Sequence, residues 1–80
     1  MEEKITAKLN EIFRDVFDDQ SISVTRETTA DDIEDWDSLT HVTLIGEVED
    51  AFSMRFMMKE VVSMKNVGEM IDIIAARGKI

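Results

Sequence analysis

The chain contains no cysteine and no proline, and glycine occurs only three times in its 80 residues. Without cysteine there can be no disulfide and no thiolate zinc site, so packing alone must stabilise the fold. Without proline, and with so little glycine, most of the chain is free to be helical. Positive charge is scarce as well: 9 Lys and Arg stand against 18 Asp and Glu, a formal charge of −9. A field of that sign repels nucleic acid and anionic membranes. It favours association with basic protein surfaces, although it also serves solubility alone. No apolar run approaches the roughly 18 residues of a membrane span, and "MEEKITAKLN" lacks the basic and apolar regions of a signal peptide. The expectation is one cytoplasmic, monomeric domain over residues 1–80 with a single modest core.

Hydrophobic spacing supplies the architecture. Ile5, Leu9, Ile12, Phe13 and Val16 predict a helix from about Glu3 to Phe17, stopped by Asp18, Asp19, Gln20 and Ser21. The connection that follows, "SISVTRETTADDIEDW", is too polar for a core strand and longer than most loops. It is either functional or carries a short turn of its own, with Val24 and Ile33 pinning it to the core. A second helix is expected from Ser38 to about Phe52, with Asp37 as N-cap. Leu39, Val42, Ile45, Val48 and Phe52 form its apolar stripe, widened by Leu44 and Ala51.

A short helix around Met58 to Met64 comes next. Asn66 then reads as an N-cap, with Glu69 placed as in a capping box. Val67, Met70, Ile71 and Ile74 continue a last helix to about Arg77, with Gly78 at C′. The predicted fold class is therefore all-α: a small bundle of three long helices and one short one, with a long first loop. The methionines of the C-terminal half are either core filler or the lining of a soft apolar cavity. Gly46, inside the second helix, either permits a close helix approach or leaves space beside it.

The stretch "EDWDSLTHV" at 34–42 places a hydroxyl, Ser38, between acids and the start of the second helix. Catalysis by Ser38 with His41 would need an orienting acid and oxyanion donors, and no G-x-S-x-G elbow is present. His41 reads instead as solvent-facing, and no catalytic residue is assigned. Calcium fails on register: starting an EF-hand loop at Asp31 puts Ile33 and Trp36 where a ligand and a glycine belong, so no metal site is assigned. A third possibility is that Ser38 receives chemistry. A phosphodiester on its oxygen would face the free N–H groups and positive dipole of the helix start. Asp35 and Asp37 oppose that charge and make more sense as a docking surface for a modifying enzyme.

"DSL" opening an amphipathic helix, then "VTLIGEVEDAF", then "NVGEMIDII", resembles the acyl carrier proteins. Asp37, Ser38 and Leu39 match their attachment motif. Glu49, Asp50 and Phe52 match the acidic end of the second helix, and Asn66 and Val67 match the start of the last one. The resemblance spans nearly the whole chain without a gap. It implies that Ser38, flanked by Asp37 and Leu39, carries a phosphopantetheine arm installed from coenzyme A by a Mg²⁺-dependent phosphopantetheinyl transferase. The thiol that the polypeptide lacks would then be imported, and the protein would be a carrier rather than an enzyme. The family also implies that Glu47, Glu49 and Asp50 meet basic patches on acyl-transferring and ketosynthase-type enzymes. Val42 and Trp36 are further candidates for partner contact, and Trp36 either covers the core beneath the loop or is an exposed contact beside the arm. Val42, Ile45, Phe56, Val61 and Met64 are candidates for sheltering an acyl chain.

Thr40 and Thr43 stand where fatty-acid carriers often have acids, and Trp36 stands where a small residue is common. These departures favour a specialised fatty-acid, polyketide or glycan-modifying pathway over housekeeping fatty-acid synthesis. Two readings from other classes remain open at this point. One is an acidic helical interaction module without a prosthetic group. The other is a small serine hydrolase.

Overall fold

In a computed structural model, residues 2–79 are described. Four α-helices follow in order: α1 (Glu2–Val16), α2 (Ser38–Phe52), α3 (Met58–Ser63) and α4 (Val67–Arg77). A 3₁₀ turn at Ala30–Asp32 interrupts the long connection between α1 and α2. There is no strand among the described residues, so the all-α bundle of three long helices and one short one is what the chain forms. α2 has the expected limits. α1 and α3 each end one residue early, the ordinary fraying of a last turn. At the head of α4, Asn66 Oδ1 accepts the Glu69 N–H (2.9 Å). Gly78 is extended (φ −74°) rather than left-handed, and its N–H closes α4 on the Ile74 carbonyl.

α1 packs against both α2 and α4. Ile5, Leu9, Ile12 and Phe13 of α1 meet Leu44, Ile45, Val48 and Phe52 of α2 and Val67, Met70, Ile71 and Ile74 of α4 in one buried cluster. Met54 and Met70 are core, but Met57 and Met58 are exposed. The methionines therefore divide between filler and surface. The upper part of the expected α2 stripe also departs from expectation. Leu39 is 80% exposed and Val42 67%, because at 100° per residue both point away from the side of α2 that carries the buried Leu44, Ile45, Val48 and Phe52.

The α1–α2 connection is held by polar side chains as well as by Val24 and Ile33, both buried. Asn10 Oδ1 accepts the Val24 N–H (2.7 Å), and Arg14 Nε donates to the Ile22 carbonyl (2.7 Å). Thr29 and Asp32 exchange capping bonds around the 3₁₀ turn, so the loop does carry a turn of its own. Further along, the loop carbonyls cap α4: Thr28 O accepts the Val67 N–H and Arg26 O accepts the Gly68 N–H, each at 2.9 Å. Two helix N–H groups that have no partner within α4 are satisfied by chain from forty residues upstream. The Arg26 guanidinium adds contacts to both carboxylate oxygens of Asp72 and to Glu2.

That close approach explains Gly68. A Cβ there would lie 2.9 Å from the Arg26 carbonyl oxygen and 3.2 Å from Arg26 Cβ, so loop and helix would have to separate. Around Gly46, by contrast, an added Cβ meets nothing within 4 Å. Gly46 therefore permits no close helix approach; the space beside it is open. The two glycines should respond to alanine with opposite signs. Gly68→Ala should lose about 1–3 kcal/mol through overpacking, whereas Gly46→Ala should gain about 0.5–1 kcal/mol from helix propensity. Chemical denaturation of the two variants measures both, and equal signs would contradict this account.

Candidate functional site

The start of α2 is built by four residues with different tasks. The Trp36 indole is buried at 9% exposure, edge-on to Phe13 with centroids 5.2 Å apart and near Phe17 at 6.3 Å. Asp37 then caps the helix: its Oδ1 accepts the N–H of Leu39 (2.9 Å) and of Thr40 (3.0 Å). Thr40 reciprocates, its Oγ1 accepting the Asp37 N–H (2.8 Å) and donating to the Asp35 carbonyl (2.7 Å). Ser38, the first helical residue, is exposed, and Asp37 and Thr40 carry the cap without it.

Two sequence expectations need correction here, and one alternative is decided. The N–H groups expected to face an anion on Ser38 are already taken by the Asp37 carboxylate, so this helix start is not an anion receptor. Of the two readings of Trp36 the core one holds: its ring completes the aromatic cluster with Phe13 and Phe17. His41 is not solvent-facing. Its Nδ1 accepts the Trp36 indole N–H (3.0 Å), and its Nε2 lies 3.0 Å from the Val61 carbonyl. A carbonyl can only accept, so Nε2 carries the proton, and the tautomer is fixed by its two partners.

A cleft of about 450 Å³ opens between α2 and α3 beside Ser38. Trp36, His41, Val42, Val61 and Met64 wall it, and Lys65 is the one Lys or Arg among its lining residues. Of the residues expected to shelter a chain, Val42, Val61 and Met64 line this cleft. Ile45 lies in the core below and Phe56 packs against that core. At the rim of the cleft and beyond it, Leu39, Val42, Met58 and Val62 leave an apolar surface, each at least two-thirds exposed, with Val42 and Val62 also lining the cleft. Glu47 and Asp50 project from α2 into solvent. Glu49 does not stand with them: its Oε2 accepts the Phe56 N–H (2.8 Å) and fixes the α2–α3 turn. Among the described residues no cluster of three or more His, Asp and Glu could hold a metal ion.

Sequence reasoning missed the pairing of Thr40 with Asp37. The signal was present, since a short polar side chain three residues after an N-cap is the capping-box pattern with threonine in place of the usual acid. The cap has an electrostatic consequence. Hydrogen bonds from the backbone, first that of Thr40, hold the Asp37 carboxyl below its ordinary pKa. Glu60 is lowered too, first by the Arg77 guanidinium and then by the Met57 N–H, to which it is bonded. A carboxyl with a depressed folded-state pKa stabilises the fold above its unfolded pKa and loses that contribution as pH falls through the folded value. Melting temperature should therefore decline on acidification from about pH 5 to about pH 2. Asp37→Asn, which keeps a cap oxygen but cannot titrate, should flatten part of that decline. Asp37→Ala should lower the melting temperature already at neutral pH.

No protein-family model matches the chain, and no curated protein matches it. Among solved structures, it is similar to the solution NMR structure of a holo acyl carrier protein from Geobacter metallireducens. The identity is 44% and the TM-score 0.84, with 90% of this chain and 83% of that one covered. With the helix order, the Asp37–Ser38–Leu39 start of α2 and this likeness together, the chain belongs to the acyl carrier protein family, whose members are carriers and not enzymes.

Proposed function

We propose that Ser38 is the attachment point of a phosphopantetheine arm, and that the protein presents acyl groups on it to partner enzymes. The observation that carries this reading is an exposed primary hydroxyl at the first position of a firmly capped helix, beside an apolar cleft, in a chain of this family. The holo form of the Geobacter relative supports it. In the loading step the Ser38 oxygen attacks the phosphorus of coenzyme A that bears the pantetheine. A new P–O bond forms, the pyrophosphate P–O bond breaks, adenosine bisphosphate leaves, and the serine proton passes to a base on the Mg²⁺-dependent phosphopantetheinyl transferase. The arm supplies a thiol that carries acyl groups as thioesters. The protein's own part is to hold Ser38 outward through Asp37 and Thr40, leaving the hydroxyl clear of the fold.

The partners on this reading are acyl-transferring and ketosynthase-type enzymes with basic docking patches. Glu47 and Asp50 supply long-range attraction, and Leu39, Val42, Met58 and Val62 supply apolar contact once docked. Glu49 contributes to the shape of the turn more than to the surface. Thr43, exposed on α2 where an acid is common, and Thr40, whose hydroxyl serves the cap, keep the surface near Ser38 weakly charged. That favours a specialised fatty-acid, polyketide or glycan-modifying pathway in the cytoplasm, with the carrier as a monomer.

Two measurements test this function. Incubation with coenzyme A, Mg²⁺ and a broad-specificity transferase should add one phosphopantetheine by intact mass, and Ser38→Ala should add none. A gain that survives Ser38→Ala would overturn the assignment. For docking, Glu47→Lys with Asp50→Lys should slow association with a partner enzyme by about tenfold or more at low salt, with the difference shrinking as salt rises. Association that is unchanged at low salt would remove these acids from the interface.

A further inference from the structure

His41 bridges the seam between α2 and α3 with both ring nitrogens committed, one to Trp36 and one to Val61, each at 3.0 Å. α3 has few other polar ties. Glu49 holds the turn before it, and Glu60 pairs with Arg77 of α4. At the Ser38 end, the imidazole is what sets α3 against α2. Three and four residues further along the same face of α2 lie Leu44 and Ile45, both in the core. The cleft beside Ser38 reaches Trp36, His41, Val61 and Met64, yet none of the large fully buried side chains lines it. Of the α2 residues that line it, His41 shares the core-facing side of the helix with Leu44 and Ile45.

We propose that His41 is a cargo stop and so a specificity-determining residue. It confines an acyl group carried from Ser38 to the shallow cleft along Val42, Val61 and Met64, and it bars a longer chain from the core. The carrier then takes acyl groups whose apolar part is short, and leaves longer ones at the surface. This inference rests on attachment at Ser38 as proposed above. A chain pushing past His41 would break both hydrogen bonds and leave the indole N–H and the Val61 carbonyl without partners. That loss offsets the gain from sheltering its first methylenes.

The test uses the full-length carrier loaded with acetyl, hexanoyl and decanoyl arms, each confirmed by intact mass. Two quantities are read: the rate at which hydroxylamine cleaves the thioester, and the NMR shifts of the Leu44 and Ile45 methyl groups. In the wild type the core methyls should not move and the rate should stay within about twofold from hexanoyl to decanoyl, because methylenes beyond those the cleft holds stay in water. In His41→Ala the rate should fall with chain length, by up to about fourfold for each methylene that reaches the core, and both methyl sets should shift. Trp36→Phe keeps an aromatic ring against Phe13 but withdraws the bond to Nδ1. It should show the same trend more weakly, and it serves if His41→Ala does not fold.

An imidazole with a merely structural role would lower the melting temperature without creating any dependence on chain length. The inference is overturned if the wild type already protects decanoyl as the variants do, or if both variants stay as flat as the wild type. Failure to take up the arm at all, seen by mass before any thioester is made, defeats the Ser38 reading and this one with it.

Discussion

The burial of Trp36 fixes where Ser38 comes to the surface. The indole sits against Phe13 of α1 and Phe17 just beyond its end, so the chain one residue later has to turn outward, and Asp37 caps the helix at that turn. Removing a core aromatic of this size typically costs about 3–5 kcal/mol, which makes it a strong local anchor. The indole N–H would be an unsatisfied donor there without an acceptor, and His41 supplies one. A single buried ring thus links α1, the long loop, α2 and, through His41, the carbonyl of Val61 in α3. The position of the hydroxyl and the width of the α2–α3 cleft depend on the same contact.

The scarcity of positive charge has a structural counterpart. Three arginines are placed where they hold separate parts of the chain together. Arg14 binds the loop carbonyl of Ile22, Arg26 joins the loop to Glu2 and Asp72, and Arg77 joins α4 to Glu60 of α3. α2 carries no Lys or Arg at all, so Glu47 and Asp50 project their field unopposed by their own helix. Each of these exposed pairs contributes little to stability alone. Their arrangement matters more: the cations stabilise the loop and the helix ends, and the C-terminal half of α2 keeps its acidic face.

Much of this was legible in the sequence, and the reasons differ from element to element. α2 could be read to the residue because Asp37 is a strong N-cap directly before an apolar periodic segment, and because the family motif falls on the same positions. The all-α class followed from the missing proline and the helical spacing. Leu39 and Val42 were misassigned to the core because a stripe drawn in steps of three drifts about 60° per step round a helix, and so leaves the side that Leu44, Ile45, Val48 and Phe52 bury. His41 was misread, and Trp36 left undecided, because their contact is tertiary. Five residues apart, they meet only because the loop folds Trp36 back beneath α2, a tertiary event that spacing does not encode. The capping of α4 by Arg26 and Thr28 was invisible too, since backbone carbonyls carry no sequence signature; Gly68 was its sole trace.

The exposed residues of α2 and α3 run against the interests of the isolated fold. Acids near the C-terminal end of α2 oppose its macrodipole. Leu39, Val42, Met58 and Val62 remain in water although the core has buried nearly every other large apolar side chain of the helices. Both features cost stability and neither is forced by the packing, for the buried side of α2 ends with Leu44, Ile45, Val48 and Phe52. A surface that is acidic at one end and apolar at the other is suited to brief contact. Charge brings a basic partner in quickly, and the small apolar area, open to water again on release, keeps the complex from becoming permanent. Ser38 lies at the apolar end, where a docked enzyme would be closest to whatever that oxygen carries.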